Sequence, residues 1–307
     1  MNTGRRNVLK MMGMGMGAAG LAFAPFVKAT DILDEATMSR LTNLPQTPQG
    51  MPQPKYIEPV VYEGPDVIIR QIDEHTWEGN GHLMANETIY IIEGNERTIL
   101  LDAGTKIDGL KKIVESITKK PITLIATHVH PDHTGSAIHD FDEIWINAGD
   151  EVNVPMFMTD YKGKVSFLED GQVFDLGGRR IEVIFTPGHT PGSATFFEMD
   201  GRKWGYSGDA FDSGNLLLTT NFSTLLATTT RIESYMKRHN IEKMYPGHYM
   251  GSNPETQQRI SDLKKMSEEM IEGKREGNML DQAMLGLNAR IRDFGVNISY
   301  RYPDGVK

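Results

Sequence analysis

The sequence predicts an α/β fold in which two β-sheets pack face to face with helices outside. Three observations lead there. Segments with strand character fall into two successive series, each finishing with helix. No repeat with a period of about 20 to 50 residues runs through the chain, which sets solenoids and propellers aside. Polar, metal-competent residues recur where predicted strands end, and strand-end loops are where such folds carry function.

The elements follow in order. "DVIIRQI", "ETIYIIEG" and "RTILLDAG" read as strands bounded by Gly or Asn turns, with regular structure starting near Val67. "IDGLKKIVESITKK" places Leu110, Ile113 and Ile117 at helical spacing before Pro121 stops the helix. "ITLIAT" is a short buried strand ending at Thr127, and "EIWIN", "GQVFDLGG", "RIEVIFTPG", "SATFFEM" and "KWGYSGD" supply later strands. "STLLATTTRIESYMKRH" is helical, and "IEKMYPGHY" is a strand running into a loop. Asn253-Pro254 reads as the cap and first position of a long helix, whose Ile260, Leu263, Met266 and Met270 form a core stripe.

The beginning of the chain differs from this pattern. Residues 1–29 carry Arg5, Arg6 and Lys10, then a Gly/Ala/Met-rich apolar run without an acid, and two small-x-small sites at Ala22-Phe23-Ala24 and Val27-Lys28-Ala29. This reads as a signal peptide, too short and glycine-rich for a membrane span. "RRNVLK" is similar to the twin-arginine export motif, which implies a periplasmic or extracellular location and no stable membrane anchor after cleavage. Residues 30–66, with "NLPQTPQGMPQPKY", read as an extended leader, and residues 67–307 as the folded domain, closing with C-terminal helices.

Charge and cysteine content exclude several functions. Removing residues 1–29 takes away four of the 32 basic residues and none of the 41 acidic ones, leaving a net charge of −13. Such an acidic protein suits neither nucleic acid nor an anionic membrane. The chain has no Cys, so any metal must be held by nitrogen and oxygen, and no thiol nucleophile exists.

The metal-competent residues sit in four strand-end loops. "THVHPDHTG" supplies His128, His130, Asp132 and His133; "IFTPGHTPGS" supplies His189; "WGYSGDAF" supplies Asp209; "MYPGHY" supplies His248. Five of the nine histidines are therefore in such loops. Residues two apart in extended chain point the same way, so His128 and His130 can hold one ion. Pro131 then turns Asp132 and His133 toward a second position. Zinc accepts imidazole and carboxylate ligands, as do iron and manganese. The remaining histidines, His75, His82, His139 and His239, stand outside these motifs and read as structural or surface residues.

The run His128-x-His130-x-Asp132-His133, then His189, Asp209 and His248, resembles the metallo-β-lactamase-fold hydrolases. "LLDAG" (Leu100 to Gly104), "DLGG" and "PGHTPGS" match the usual surroundings of those motifs, over roughly residues 67–300. The resemblance implies a four-layer αββα sandwich with two divalent metal ions, zinc in the first instance. His128, His130 and His189 would hold the first ion, Asp132, His133 and His248 the second, and Asp209 would bridge them. Asp102 would support the histidine loop rather than bind metal. A metal-bridged hydroxide would attack an ester, lactone or thioester of a small molecule, with Asp132 orienting it or passing its proton on, and His248 completing the catalytic pair.

Departures from the family narrow the branch. Asp209 stands where β-lactamases of this fold tend to have Cys or Ser. "GDAFDSGNLLL" lacks the Gly-Cys and basic cluster of the glutathione-thioester hydrolases, and Asp212 replaces the Tyr of the acyl-homoserine lactonases. His130 replaces the Glu of the flavodiiron proteins, and the 59 residues after His248 are too few for a flavodoxin domain. β-Lactam amide hydrolysis and iron-dependent redox or oxygen chemistry stand as the alternatives. "VPMFMTDYKG" offers Met156, Phe157 and Tyr161 as an apolar pocket wall, and Tyr249 is a further pocket candidate beside His248. Homo-oligomerisation is left open.

Overall fold

Alternation along the strands decides how the layers stack. In β4 (Thr88–Glu93), Ile89 and Ile91 enter one apolar cluster while Tyr90 and Ile92 enter another, and all four are buried. Neighbouring strand residues point to opposite faces, so this strand is covered on both sides. The computed structural model describes residues 54–307 apart from Ser213. The expected signal peptide and the leader up to residue 53 lie outside the described residues.

The first sheet has eight strands in sequence order: β1 (Val60–Glu63), β2 (Val67–Asp73), β3 (Thr76–Gly81), β4, β5 (Thr98–Leu101), β6 (Ile122–Ile125), β7 (Glu143–Ile146) and β8 (Lys164–Phe167). It is antiparallel up to β5 and parallel from β5 to β8. Helix α1 (Leu110–Ile117) crosses between β5 and β6, and the single turn α2 (Val154–Phe157) lies between β7 and β8. The second sheet uses β9 (Val173–Asp175), β10 (Arg180–Phe185), β11 (Ala194–Glu198), β12 (Trp204–Gly208), β14 (Lys243–Pro246) and β15 (Glu255–Thr256), in the order β15-β14-β12-β11-β10-β9. A third sheet joins β13 (Leu216–Leu218) to β18 (Val296–Tyr300), β17 (Leu287–Asp293) and β16 (Asn278–Met284). The two long helices are α3 (Phe222–His239) and α4 (Gln257–Ile271).

Three apolar clusters fill the spaces between layers. Tyr90, Ile92, Ile99, Leu101 and Ile125 of the first sheet meet Ile181, Val183, Phe196 and Tyr206 of the second. Ile89, Ile91, Leu100 and Leu124 turn outward onto Leu110 and Val114 of α1. Phe197 and Met244 turn outward onto Phe222, Leu225 and Ile232 of α3 and Ile260, Leu263 and Met266 of α4. The result is the expected αββα sandwich, with the third sheet packed on the α3/α4 side.

Local signals explain the helix ends. The Asn221 side chain caps α3 by accepting from the Thr224 amide, and Asn240 closes it in the left-handed region. Lys237, Arg238 and His239 in its last turn complement the helix dipole. Helix α4 is capped by Thr256, which accepts from the Arg259 amide, and not by Asn253. Residues 255 and 256 pair with β14 first, which delays the helix. The Asn253 side chain instead accepts from the Met250 amide and donates to the His248 carbonyl.

Two boundaries need correction. Regular structure begins before Val67: β1 pairs with β2, so residues 54–66 join the domain. The chain does not close with helices, because α4 is followed by β16, β17 and β18. The two turns joining these strands have positive φ at Leu285 and Gly286, then at Phe294 and Gly295, the conformation of two-residue hairpin turns. Leu-Gly and Phe-Gly are unusual residue pairs for such turns, which hid the hairpins in the sequence.

Candidate metal centre

Five strands bring the site together by ending on one edge. Strands β5 and β6 run parallel, as do β12 and β14, and β10 shares the direction of β12 because β11 lies antiparallel between them. Asp102 follows β5, Thr127 and His128 follow β6, His189 follows β10, Asp209 follows β12 and His248 follows β14. Two hydrogen bonds stitch the sheets here, from the Ala194 amide to the Thr127 carbonyl (2.9 Å) and from the Thr88 amide to the Gly247 carbonyl (2.7 Å).

All seven expected ligands meet, in two groups. In the first, His189 Nε2 lies 3.1 Å from His128 Nε2 and 2.9 Å from His130 Nδ1, and these last two are 3.1 Å apart. In the second, His133 Nε2 is 3.6 Å from Asp132 Oδ2, and His248 Nε2 is 3.4 Å from the same oxygen. Asp209 faces both groups. Its Oδ2 is 3.6 Å from His189 Nε2 and 3.3 Å from His248 Nε2, and its Oδ1 is 3.5 Å from His133 Nε2.

The outward nitrogens of these rings are fixed by acceptors, which aims the other nitrogen inward. His133 Nδ1 donates to Asp102 Oδ2 (2.8 Å), His189 Nδ1 to the Leu217 carbonyl (2.9 Å) and His248 Nδ1 to the Ala85 carbonyl (3.1 Å). Thr127 donates its amide and hydroxyl protons to Asp102 (2.7 and 2.9 Å), so its oxygen is left to accept from His128 Nδ1 at 3.2 Å. Asp102 thereby orients a histidine in each group. It binds no ring in the first group directly, and it stands in the left-handed region with φ 65°.

Electrostatics separate the two groups. Burial and the neighbouring imidazoles hold His128 well below the usual histidine range, and burial with His130 brings His189 down to about 4. Burial also lowers His130, against the pull of Asp132 and Asp209. In the second group burial acts in the same direction but loses. Asp132, Asp209 and Asp102 raise His133 well above its ordinary value, and Asp209 and Asp132 do the same to His248. Burial would raise Asp132, yet His133 and His248 bring it down to about 2. The first group is made of three imidazoles alone, and the second sets two imidazoles against two carboxylates.

The donor set fits bound metal. A tetrahedron with zinc–nitrogen bonds of about 2.0–2.1 Å has edges of roughly 3.3–3.4 Å, close to the spacing of the three ring nitrogens. His133 Nε2 and Asp209 Oδ1 are buried without a hydrogen-bond partner, a cost that a shared cation removes. A Cβ added at Gly247 would lie 2.2 Å from Asp209 Oδ1 and 2.8 Å from His133 Cε1, so the chain there leaves room for nothing but the ligand groups.

The pocket expectations divide. Phe157 stands edge-on to His130 with ring centroids 5.6 Å apart, which places it at the site. Tyr161 does not reach it: its hydroxyl donates to the Phe141 carbonyl and its ring packs on the α1-side core. Tyr249 is also corrected. It is buried between Tyr56 and Tyr245, and its hydroxyl is bound to Glu58 and to the Gly251 carbonyl. Met156 is half-buried beside Phe157. His75 pairs with Glu93, His139 lies against Tyr161 and His239 stacks on Tyr235, all away from the ligands.

Sequence reading missed the groups that hold the His248 loop. The Tyr249 carbonyl accepts from Tyr56 (2.9 Å), Asn80 (3.1 Å) and Asn86 (2.7 Å), while its amide donates to Thr88 (2.9 Å). Asn80 and Asn86 sit in Gly- and Asn-rich stretches that resemble ordinary turns, so no local signal marked them.

The family model of the metallo-beta-lactamase superfamily matches residues 85–248, the span from the loop under His248 to His248 itself and more than half of the chain. The chain belongs to that superfamily. It is a metallo-hydrolase whose His/Asp cluster can hold metal. Among curated relatives, human acyl-coenzyme A thioesterase MBLAC2 is 26% identical over 203 residues, covering 52% of this chain and 72% of the relative. Hydroxyacylglutathione hydrolase GloC of Haemophilus influenzae is 27% identical over 146 residues, covering 41% and 66%. Among solved structures, a metallo-beta-lactamase from Pontibacter korlensis superposes with a TM-score of 0.52 at 17% identity, over 66% of this chain and 99% of that one, which shows a shared fold.

The room at two glycines gives a test of the site. Gly247→Ala should cut bound metal sharply, since its Cβ enters the ligand cluster. Gly188→Ala, whose nearest neighbour is a Leu225 methyl at 3.5 Å, should keep the parent's content. Elemental analysis of both purified variants after zinc loading reads the difference.

Proposed function

We propose that the chain is an exported dinuclear hydrolase that cleaves esters, lactones or thioesters of small molecules, with thioesters favoured. The observation that carries the dinuclear reading is Asp209, whose two oxygens face both histidine groups while one of them has no other partner. His128, His130 and His189 would hold one ion, Asp132, His133 and His248 the other, with Asp209 shared and zinc the metal. Such a pair supplies Lewis-acid polarisation of the scissile carbonyl and lowers the pKa of the attacking water to about 7. The thioester preference rests on the human relative, an acyl-coenzyme A thioesterase.

The chain's own residues supply the rest. Asp132, whose Oδ2 lies 3.6 Å from His133 Nε2 and 3.4 Å from His248 Nε2, would orient the attacking water and accept its hydrogen bond. His248 is the most open of the second group, with 16% of its side chain exposed, and would be the ligand nearest to arriving substrate. Phe157, edge-on to His130, would form an apolar wall for the acyl chain. No Ser or Cys nucleophile enters this scheme, and the chain has no Cys. Export rests on Arg5, Arg6 and the apolar run behind them. Among the described residues no helix is long and apolar enough to cross a membrane.

Loading the protein with excess zinc should give about two ions per chain, and Asp209→Ala should weaken both ions because one carboxylate serves the pair. The parent should hydrolyse an acyl-thioester and lose that activity with chelator. A stoichiometry at or below one ion counts against the dinuclear reading, and an inactive loaded parent against the thioester. Phe157→Ala should raise KM for a bulky acyl substrate at unchanged metal content, a loss of about 1–3 kcal/mol of binding if substrate covers the ring. Equal KM values in parent and variant for bulky and small substrates would return Phe157 to core packing. Replacing Arg5 and Arg6 with Lys should trap the precursor in the cytoplasm, as cell fractionation would read, and normal export of that variant rules out the twin-arginine route.

A further inference from the structure

Asp150 is a fully buried carboxylate that the proposed chemistry does not use. It lies in the 3₁₀ turn Ala148–Asn153 that follows β7, a turn whose first residue is set by the Asn147 side chain accepting from the Gly149 amide. Three donors surround the carboxylate. Oδ2 accepts from the Val129 amide (2.8 Å) and the Thr190 hydroxyl (2.8 Å), and Oδ1 accepts from the Gly192 amide (2.8 Å). Val129 is the residue between His128 and His130, and Thr190 follows His189. One side chain from a third loop therefore joins the two loops that carry the first metal group.

The junction is tight on every side. A Cβ at Gly192 would lie 2.5 Å from Asp150 Cγ, and one at Gly149 would lie 2.7 Å from the Pro191 carbonyl oxygen. Thr190 also shares its hydroxyl with Ser193 (2.9 Å), so the donor to Asp150 is itself held. Burying a carboxylate is costly unless donors satisfy it, and burial indeed pushes Asp150 upward against the donors that lower it. Ligand groups must sit within about 0.5 Å of productive geometry. His128 and His130 are separated from His189 by about sixty residues of chain, as the 61- and 59-residue separations show, so their mutual spacing needs a cross-link of this kind.

We propose that Asp150 is a positioning residue for the His128–His130–His189 group: it locks the loop of the first two histidines to the loop of the third and so sets the metal affinity of that half of the site. This rests on the ligand reading above. Asp150→Asn keeps the shape but turns an amide NH₂ toward an N–H donor, and Thr190→Val removes one donor while leaving the carboxylate. Thr190→Ser keeps the hydroxyl.

The test uses the full chain with zinc alone, titrated against a chromogenic chelator, with thermal melting of the zinc-free protein alongside. Asp150→Asn should weaken one of the two zinc equivalents by about 10–100-fold and spare the other. Thr190→Val should weaken the same equivalent by less, and Thr190→Ser should restore it. A lower melting temperature with both zinc affinities at the parent value would make Asp150 a purely structural pin and overturn the proposal, as would equal weakening of both equivalents. If Asp150→Asn fails to fold, the Thr190→Val and Thr190→Ser pair decides by the same criteria. A parent that takes up no zinc overturns the ligand reading itself, and this proposal with it, a result distinct from a parent that binds two ions and a variant that matches it.

Discussion

The site depends on one constraint: five strands from two sheets must finish on the same edge of the sandwich. Parallel pairing of β5 with β6 and of β12 with β14 secures this within each sheet. The interior cluster of Tyr90, Ile125, Val183, Phe196 and Tyr206 holds one sheet against the other. Since the loops leave together, seven side chains from four segments converge with little chain of their own to order. Convergence then produces the electrostatic contrast. Burial among other imidazoles lowers His128, while Asp132 and Asp209 raise His133 and His248. One geometric fact about strand direction thus yields both an all-imidazole half and a carboxylate-bearing half of a single site.

Much of this was legible because chemistry and periodicity coincide in short stretches. "THVHPDHTG" announces itself by residue type alone, and each other ligand stands directly after a segment of strand character bounded by Gly or Pro. Two successive series of strands, each finishing with helix, pointed to stacked sheets with helices outside. Legibility failed where position is set by distant partners. Tyr249 follows a ligand in the sequence, but its ring is drawn away by Tyr56, Tyr245 and Glu58. Tyr161 shares a loop with Phe157, yet its hydroxyl finds the Phe141 carbonyl and turns the ring toward the core. Asp150 looks like an ordinary acid in a turn until Val129, Thr190 and Gly192 are seen around it.

The C-terminal strands show the same limit from the side of local structure. "LNARIRD" and "VNISY" alternate as strands should, but their turns are built on Leu285 and Phe294 in positive-φ positions. Such residues adopt that conformation only where surrounding contacts enforce it. Ala289, Ile291, Ile298 and Tyr300 supply those contacts by packing on α3 and α4. Tertiary structure here chooses the turn, and a reading of local propensity points elsewhere.

The Tyr249 carbonyl carries a consequence for the order in which the molecule assembles. Its three donors come from positions 193, 169 and 163 residues earlier in the chain. Closing loops of that length costs entropy before any contact forms, and contacts so distant in sequence slow folding. The carbonyl meets all three donors only when β3, the loop after it, the segment around Tyr56 and the turn after β14 have already docked. The last ligand, His248, is therefore placed by the finished sandwich and not by its own neighbourhood, so a correctly placed His248 is a report that both halves of the chain have folded together.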